Sequence, residues 1–413
     1  MSQLISACII AQSGGPTAVI NASAAGAIET ALESKSITRV LAAENGIVGI
    51  LEERLFDCAS EDREQLRLMK TTPASALGSC RHKLKDPEVD ESEYERILEV
   101  FKKHDIRYFF YNGGNDSMDT CDKISKYMQK AGYECRVMGI PKTVDNDLFG
   151  TDHCPGFGSA AKYIATSVAE ISRDNKVYDM KSVIIFELMG RNAGWLTASS
   201  ALACNIGEGP DLIYLPESIF SMENFLSDIK RKIASKNSVI VAVSEGIKDI
   251  EGRFISEYGN SIAVQKDAFG HSQMGGLASI LASAVKSELD VKVRGIELSL
   301  LQRCAAHWAS EADIEEAYMA GSDAVKYASA GETDKMVAFR RITGAAYTCE
   351  TVLMPLSDVA NKEKKVPMEW INAEGNGVTN EFFEYALPLI RGESEYQTQD
   401  GLPLFAQLKK VFV

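Results

Sequence analysis

The feature that most constrains the fold is an alternation of short apolar runs with helix-forming segments. LISACII predicts a buried strand, SGGPT a turn, and the alanine-rich stretch after it a helix. The alternation continues through the strand-like runs ITRVLAA, IRYFFY, ECRVMGI, SVIIFEL and SVIVAVS. Strands that alternate with helices predict an α/β fold, with doubly wound and mainly parallel sheets that carry helices on both faces.

Composition narrows the class of protein. A length of 413 residues favours two or three domains. The nine cysteines include no CxxC pair and no Cys/His cluster at zinc spacing, which favours reduced thiols and a cytoplasmic location and argues against structural zinc. No run nears the roughly 18 apolar residues of a membrane helix, so no membrane association is expected. A net charge of -14 argues against nucleic acid as a partner and requires a local cluster of Arg and Lys for any anionic ligand.

Two glycine-containing loops follow predicted strands, where parallel sheets bind ligands. In AQSGGPTAVINA, Gly14 and Gly15 would let backbone amides approach an anion, although a tight turn is an equally good interpretation. In YNGGNDSMDT, a second glycine pair precedes Asn115 and Asp116, whose more common role is to cap a helix. The similar pattern GFGSAA follows TDHCP, which is not a strand, and is interpreted as a turn.

The third loop, PKTVDND at 141–147, is harder to explain structurally. A helix cap would use one aspartate and leave Lys142, Asp145 and Asp147 without a role. A packed core has no use for so much charge, because each buried ion must be compensated. The loop therefore predicts chemistry at this edge of the sheet.

Taken together, these loops resemble the phosphofructokinase family. The resemblance rests on SGGPTAVINA, GGNDS, PKTVDND, MGRNAGW (189–195), VSEG (243–246) and the arginines of RGIELSLLQRC. It implies two Rossmann-like α/β domains with the active site in the cleft between them. One would comprise residues 1–155 plus about 304–355. The other would comprise 156–303 plus about 356–413, with a C-terminal appendage at 368–393 of unassigned role.

The resemblance also implies the phosphoryl donor and the reaction. In this family, glycine at positions 116 and 142 accompanies ATP, whereas aspartate and lysine accompany inorganic diphosphate; this chain has Asp116 and Lys142. A carboxylate at 116 would repel the α-phosphate of a nucleotide. The expected reaction is reversible transfer of a phosphoryl group from diphosphate to the C1 hydroxyl of fructose 6-phosphate.

Roles for individual residues follow from the resemblance. Asp145 would be the general base, with an ordinary pKa near 4. Lys142 would neutralise the departing phosphate, and Asn115 and Asp147 would hold Mg²⁺. Catalysis would use Asp145, Lys142, Arg191 and Asp116, and diphosphate would be bound by Gly14, Gly15, Arg81 and Lys142. The sugar phosphate would be bound by Thr143, Asp145, Met189, Gly190, Arg191, Glu245, Arg294 and Arg303.

Arg294 and Arg303 would bind the 6-phosphate, with Arg294 contributed by a neighbouring subunit of a homodimer or homotetramer. The chain departs from the family pattern in this region. Asn115 replaces a metal-binding aspartate, and Leu300, rather than His271, stands where a sugar-binding histidine is expected. Lys181, Ser182, Cys304 and Ala305 replace further family residues. A related sugar such as sedoheptulose 7-phosphate is therefore also an expected substrate.

Two alternatives stay open from sequence. An ATP-dependent 6-phosphofructokinase would keep the fold but predicts glycine at 116 and 142, which this chain lacks. A non-catalytic regulatory subunit that binds sugar phosphate would be expected to have lost the base, yet Asp145 is present within its whole motif.

Overall fold

The computed structural model describes residues 4–259, 276–342, 344 and 346–413. Among these residues the strands are β1 (Ser6–Gln12), β2 (Ile37–Ala43), β3 (Leu55–Asp57), β4 (Ile106–Gly113), β5 (Arg136–Pro141), β6 (Ser182–Leu188), β7 (Leu212–Tyr214), β8 (Ser238–Ser244), β9 (Lys292–Glu297), β10 (Lys335–Ile342), β11 (Thr348–Pro355), β12 (Thr398–Gln399) and β13 (Leu402–Pro403).

The α-helices of the same residues alternate with these strands along most of the chain. They are α1 (Ile20–Glu33), α2 (Gly46–Leu51), α3 (Arg63–Leu68), α4 (Ser92–Lys103), α5 (Asn115–Lys130), α6 (Phe157–Asn175), α7 (Trp195–Ser199), α8 (Met222–Ser235), α9 (Leu277–Glu288), α10 (Leu301–Cys304), α11 (Glu311–Ser329), α12 (Leu356–Val359) and α13 (Asn380–Ala386). In this described part of the chain, no helix is long and apolar enough to cross a membrane.

The first sheet has the strand order β11-β10-β5-β4-β1-β2-β3. Its centre is parallel, and β3 and β11 add antiparallel edges. All seven residues of β1, SACIIAQ, are buried, as a central strand covered on both faces requires. The second sheet, in the order β7-β8-β6-β9, is wholly parallel. The predicted α/β class with two doubly wound sheets is therefore confirmed.

The chain passes between the two sheets more than once. It leaves the first sheet after β5, builds the second from β6 to β9, and returns with β10 and β11. Beyond β11 the chain packs against both sheets. α12 packs in the core of the first sheet, and the last residues also return there: the amide of Val413 donates to the carbonyl of Leu55 over 2.9 Å. The segment around Trp370 and α13 packs instead on the second domain.

Helices α1 and α11 pack closely against each other, and each has a glycine at the contact. A Cβ atom at Gly26 would be 2.1 Å from the carbonyl oxygen of Tyr318, and one at Gly321 would be 1.9 Å from that of Ser23. Real Cβ atoms do not approach a backbone oxygen so closely. The two glycines thus set the separation of the helices, and this packing ties the returning chain to the first domain.

Gly321→Ala is expected to lower the free energy of unfolding by about 1–3 kcal/mol, because the added methyl group forces the helices apart. In an exposed helix the same change would stabilise by about 1 kcal/mol. Urea unfolding followed by circular dichroism measures the difference. Glu315→Ala, an exposed position on α11, is the matched control and should change stability little. A more stable Gly321→Ala protein would contradict the packing described here.

Candidate active site

The loop that follows β5, residues 141–156, is termed the charged loop. The amide of Lys142 donates to the carbonyl of Gly113 at the end of β4, over 3.1 Å. The amide of Asp145 donates to Oγ1 of Thr143 over 3.1 Å, a local turn typical of threonine. The first bond joins the charged loop to the loop after β4, and the second shapes the charged loop itself.

Contacts from distant parts of the chain fix the second half of this turn. Asn146 has a φ of 56°, a left-handed conformation that asparagine tolerates. Its Nδ2 donates to the hydroxyl of Tyr385 over 2.7 Å, and its Oδ1 accepts from the amide of Cys154 over 2.9 Å. The carbonyl of Asp147 accepts from the amide of Lys364 over 2.7 Å. Asp145 and Asp147 therefore project from a backbone that is held on both sides.

The glycine turn after β1 lies against two cations. Gly14 has a φ of +76°, and a Cβ atom there would be 3.2 Å from Nζ of Lys142. A Cβ atom at Gly15 would be 2.9 Å from Nη1 of Arg303. The positive φ favours glycine at position 14, and a side chain at position 15 would have to displace the head of Arg303. The amide of Gly14 donates to the carbonyl of Cys80 over 3.1 Å, so it is engaged within the protein rather than offered to a ligand as the sequence analysis expected.

Three cationic side chains converge beside this turn. Lys142 is only 4% exposed, and burial lowers its pKa to about 8, with Arg303 and Arg81 contributing in the same direction. Burial, followed by the charge of Arg81, also lowers the pKa of Arg303. Neighbouring cations that lower the pKa of Lys142 and of Arg303 favour an anion among them. This is the local positive cluster that an acidic protein needs in order to bind an anionic ligand.

The pKa values of the carboxyl groups in the charged loop are raised, whereas those of the neighbouring cations are lowered. Burial raises the pKa of Asp145, although Lys142 opposes the shift. The ordinary pKa expected from sequence is therefore wrong, because that expectation took no account of desolvation. Burial and the neighbouring Asp145 raise the pKa of Asp147 to about 7. Two carboxyl groups in one partly buried loop cannot both ionise freely without added positive charge.

Asn115 and Asp147 form a pair suited to a hard cation. Nδ2 of Asn115 donates to Oδ2 of Asp147 over 3.2 Å. Oδ1 of Asn115 is buried and has no hydrogen-bond partner. A buried oxygen without a donor, next to a carboxylate of raised pKa, matches the oxygen ligands that Mg²⁺ prefers. The residues present fit a divalent ion here.

A third carboxylate, which the sequence analysis did not single out, reaches this area. Glu363 contributes to the raised pKa of both Asp145 and Asp147. Its backbone pairs with that of Leu148, and its Oε1 accepts from Nδ2 of Asn192 over 2.8 Å. Glu363 lies in the charged segment SDVANKEKKVP at 357–367. Its alternating charges did not indicate which one faces the aspartates.

Asp116 lies in the first turn of α5 and meets a lysine that sequence reasoning also missed. Nζ of Lys83 is 3.3 Å from Oδ1 of Asp116. The side chains are 49% and 37% exposed, so the pair adds little to stability. Its consequence is positional, because Lys83 holds the carboxylate at the mouth of the site.

Loops of the second sheet face the charged loop. The amide of Gly190 donates to Oε1 of Glu245 over 3.4 Å, and the amide of Met189 donates to Oε1 of Gln302 over 3.3 Å. The guanidinium group of Arg191 lies 5.4 Å from the centre of the Phe254 ring. Burial, followed by the charge of Asp145, raises the pKa of Glu245 to about 7. The site thus spans the cleft between the two sheets.

The two arginines expected at the 6-phosphate lie in different elements of the chain. Arg303, in α10, lies beside the glycine turn, whereas Arg294 is exposed in the middle of the edge strand β9. Leu300, at the position of the expected histidine, is 55% exposed. His271 lies outside the described residues.

The cations around the glycine turn suit a polyphosphate, and the carboxylates beside them suit an attacking hydroxyl group. Fold and site together define an α/β phosphotransferase. The family model "Phosphofructokinase" matches residues 7–296, and the chain belongs to the phosphofructokinase family. Enzymes of this family generally use a divalent metal.

The chain is similar to several named proteins over almost its full length. It is 45% identical to pyrophosphate–fructose 6-phosphate 1-phosphotransferase of Halomonas elongata, over 97% of this chain and 95% of that protein. It is 46% identical to the protein of the same name from Methylococcus capsulatus, over 98% and 96%. A crystal structure of pyrophosphate-dependent phosphofructokinase from Nitrosospira multiformis matches with a TM-score of 0.90 at 42% identity, covering 99% of this chain and 98% of that one.

Asp147→Asn is expected to stabilise the metal-free protein at pH 8 by about 1 kcal/mol or more, since it removes a carboxylate whose pKa is about 7 in the folded chain. The native carboxyl is protonated in the folded state as the pH falls through 7. The gain should therefore shrink and vanish below about pH 4, where the unfolded carboxyl is protonated too.

Urea unfolding at pH 4, 6 and 8 in the presence of a chelator measures this gain. The value at pH 4 is the internal control for changes in packing. A loss of stability at pH 8, or a gain that does not depend on pH, would contradict the strained carboxyl pair.

Proposed function

We propose that this chain catalyses reversible phosphoryl transfer from inorganic diphosphate to the C1 hydroxyl of fructose 6-phosphate, giving fructose 1,6-bisphosphate and phosphate. The observation that carries the proposal is the position of Lys142. Its buried ammonium group lies against the glycine turn, on the same loop as Asp145 and Asp147. The names of the close relatives support the same reaction.

In the reaction, the oxygen of the sugar's C1 hydroxyl group attacks the terminal phosphorus of diphosphate. Asp145 accepts the proton that this hydroxyl group loses. A raised pKa suits this role, because a base works best when its pKa is near the working pH. The hydroxyl of Thr143 donates to Oδ2 of this carboxylate over 3.5 Å and accepts from the amide of Asp145. Diphosphate bound beside Lys142 adds negative charge next to the ammonium group and so favours the charged form of the lysine.

Lys142, Arg81 and Arg303 receive the charge that develops on the leaving phosphate. This gives Arg303 a role at the transferring group, in place of the expected grip on the 6-phosphate. Gly15 contributes its backbone to the donor, and Gly14 leaves space for the lysine head. Asn115 and Asp147 hold Mg²⁺, which neutralises donor oxygens when bound.

The donor is selected by charge and space at one side of the site. Asp116, held by Lys83, presents a carboxylate where a nucleotide's α-phosphate would extend. Lys142 fills space beside Gly14. ATP would have to approach the carboxylate of Asp116 and displace the head of Lys142, whereas diphosphate ends before Asp116 and is met by the ammonium group of Lys142.

The sugar phosphate lies across the cleft. Glu245 accepts hydrogen bonds from sugar hydroxyl groups, and Met189, Gly190 and Arg191 line the opposite side. Arg294 binds the 6-phosphate from a neighbouring subunit, a proposal that its exposure on an edge strand supports. The protein would then be a homodimer or homotetramer with shared sites. Leu300 cannot donate the hydrogen bond of the family's sugar-binding histidine, and sedoheptulose 7-phosphate is therefore a second candidate substrate beside fructose 6-phosphate.

The nine free cysteines suit the reducing cytoplasm, where we place this activity. The two alternatives are less well supported. An ATP-dependent enzyme conflicts with the charges at 116 and 142. A regulatory subunit has no need of a base with a raised pKa beside a metal-binding pair.

Asp145→Asn tests the proposal, because the amide cannot accept the hydroxyl proton. The native protein should form fructose 1,6-bisphosphate from diphosphate and fructose 6-phosphate with Mg²⁺. The variant should lose about 10²–10⁴-fold in kcat, with KM for both substrates within a few-fold of native. Steady-state rates in a coupled assay measure both quantities.

Asp358→Asn, an exposed aspartate elsewhere in the chain, is the matched control and should keep full activity. Circular dichroism checks that each variant is folded. An inactive native protein would overturn the proposed reaction, and a fully active Asp145→Asn protein would overturn the assignment of the base.

A further inference from the structure

A second group of metal-ligating side chains lies away from the substrates, between the far end of the charged loop and α11. It consists of His153, Glu316 and Cys349, whose nitrogen, oxygen and sulfur atoms all lie within 4.8 Å of one another. His153 is 2% exposed and Glu316 is 8% exposed. The proposed reaction uses none of the three.

Glu316 is the hub of this group. Its Oε2 accepts from Nε2 of His153 over 2.7 Å. Its Oε1 accepts from the hydroxyl of Tyr347 over 2.7 Å and from the thiol of Cys349 over 3.0 Å. One carboxylate thus brings an imidazole nitrogen and a sulfur atom to its two oxygens.

The other ring nitrogen of His153 also has a carboxylate partner. Nδ1 of His153 lies 3.0 Å from Oδ1 of Asp152, which in turn accepts from Arg341 over 3.0 Å. The imidazole ring stacks on Phe339 with centroids 4.8 Å apart. A histidine that donates one ring N–H to a carboxylate presents its other nitrogen in a fixed direction, which is how proteins orient histidine ligands toward zinc.

A surface cavity of about 470 Å³ gives access to the group. Glu316, Tyr347 and Cys349 line it together with residues of α11. An ion can therefore reach a carboxylate and a thiol directly, with the histidine behind them. Water in the cavity can complete the coordination.

We propose that His153, Glu316 and Cys349 bind a divalent transition ion of the zinc type, at a site distinct from the Asn115–Asp147 pair. One imidazole, one carboxylate and one thiolate are the ligand types that zinc prefers, whereas Mg²⁺ takes oxygen ligands. A histidine between two carboxylates carries both ring protons. A divalent ion would displace one of those ring protons and the thiol proton. Its two positive charges replace those of the two protons, so the net charge of the buried group stays the same.

The site also has a structural consequence. His153 belongs to the charged loop, and the carbonyl of Asp152 accepts from the hydroxyl of Tyr385 over 2.7 Å, the same hydroxyl that holds Asn146. An ion would fasten this end of the loop to α11 and β11. It binds the folded chain and so raises the melting temperature.

Co²⁺ is the probe, because a cobalt–thiolate bond gives a charge-transfer band in the near ultraviolet that oxygen ligands do not produce. Chelator-treated native protein should develop this band, saturating at one ion per chain and persisting in excess Mg²⁺. Cys349→Ser should lose the band, and Cys304→Ser, which changes an exposed cysteine elsewhere, should keep it. His153→Gln should weaken cobalt binding at least tenfold.

Absence of the band, or its persistence in Cys349→Ser, would overturn the proposal and leave the cluster as an ion-pair network satisfied by protons. A second readout needs no substitution. Co²⁺ should protect Cys349 of the native chain from iodoacetamide, as followed by peptide mass mapping, and leave Cys304 unprotected. Equal alkylation of Cys349 with and without the ion would likewise overturn it.

Discussion

The burial of Lys142 is the constraint on which the active site depends. Removing an ammonium group from water is costly, and here Asp145 and Asp147 compensate it while Arg303 and Arg81 oppose it. The balance is incomplete in the ligand-free protein, as the lowered pKa of the lysine and the raised pKa of both aspartates indicate. An anionic donor and a divalent cation supply the missing charges. The site is therefore prepared for its ligands at some cost in stability.

The fold supplies that stability from elsewhere. The charged loop is held by the end of β4, by the hydroxyl of Tyr385 and by the backbone of Lys364, which come from three separate regions of the chain. The close contact of α1 and α11 fixes the returning chain and with it β10. In β10, the carbonyl of Phe339 accepts a hydrogen bond from the amide of Asp152, in the charged loop, over 2.9 Å. Such rigid support keeps the charged groups in place before substrate arrives, so little reorganisation is needed during phosphoryl transfer.

The sequence predicted the fold class and the loops that meet at the site, because strand–glycine–helix alternation and charge within one loop are local signals. It missed Lys83 and Glu363, which reach the site only through tertiary contacts. It gave Asp145 an ordinary pKa, since burial cannot be read from the loop's own residues. The return of the C-terminal residues to the first sheet left no periodic signal at all.

The most direct test of the account is a comparison of initial rates with diphosphate and with ATP, at fixed fructose 6-phosphate and Mg²⁺, for the native chain and for Asp116→Gly/Lys142→Gly. The account predicts that the native chain uses diphosphate, and that the double variant loses at least about 100-fold of that activity while gaining turnover with ATP. Comparable native rates with both donors, or a variant that keeps its diphosphate activity, would contradict the role given to the buried lysine and its neighbouring carboxylate.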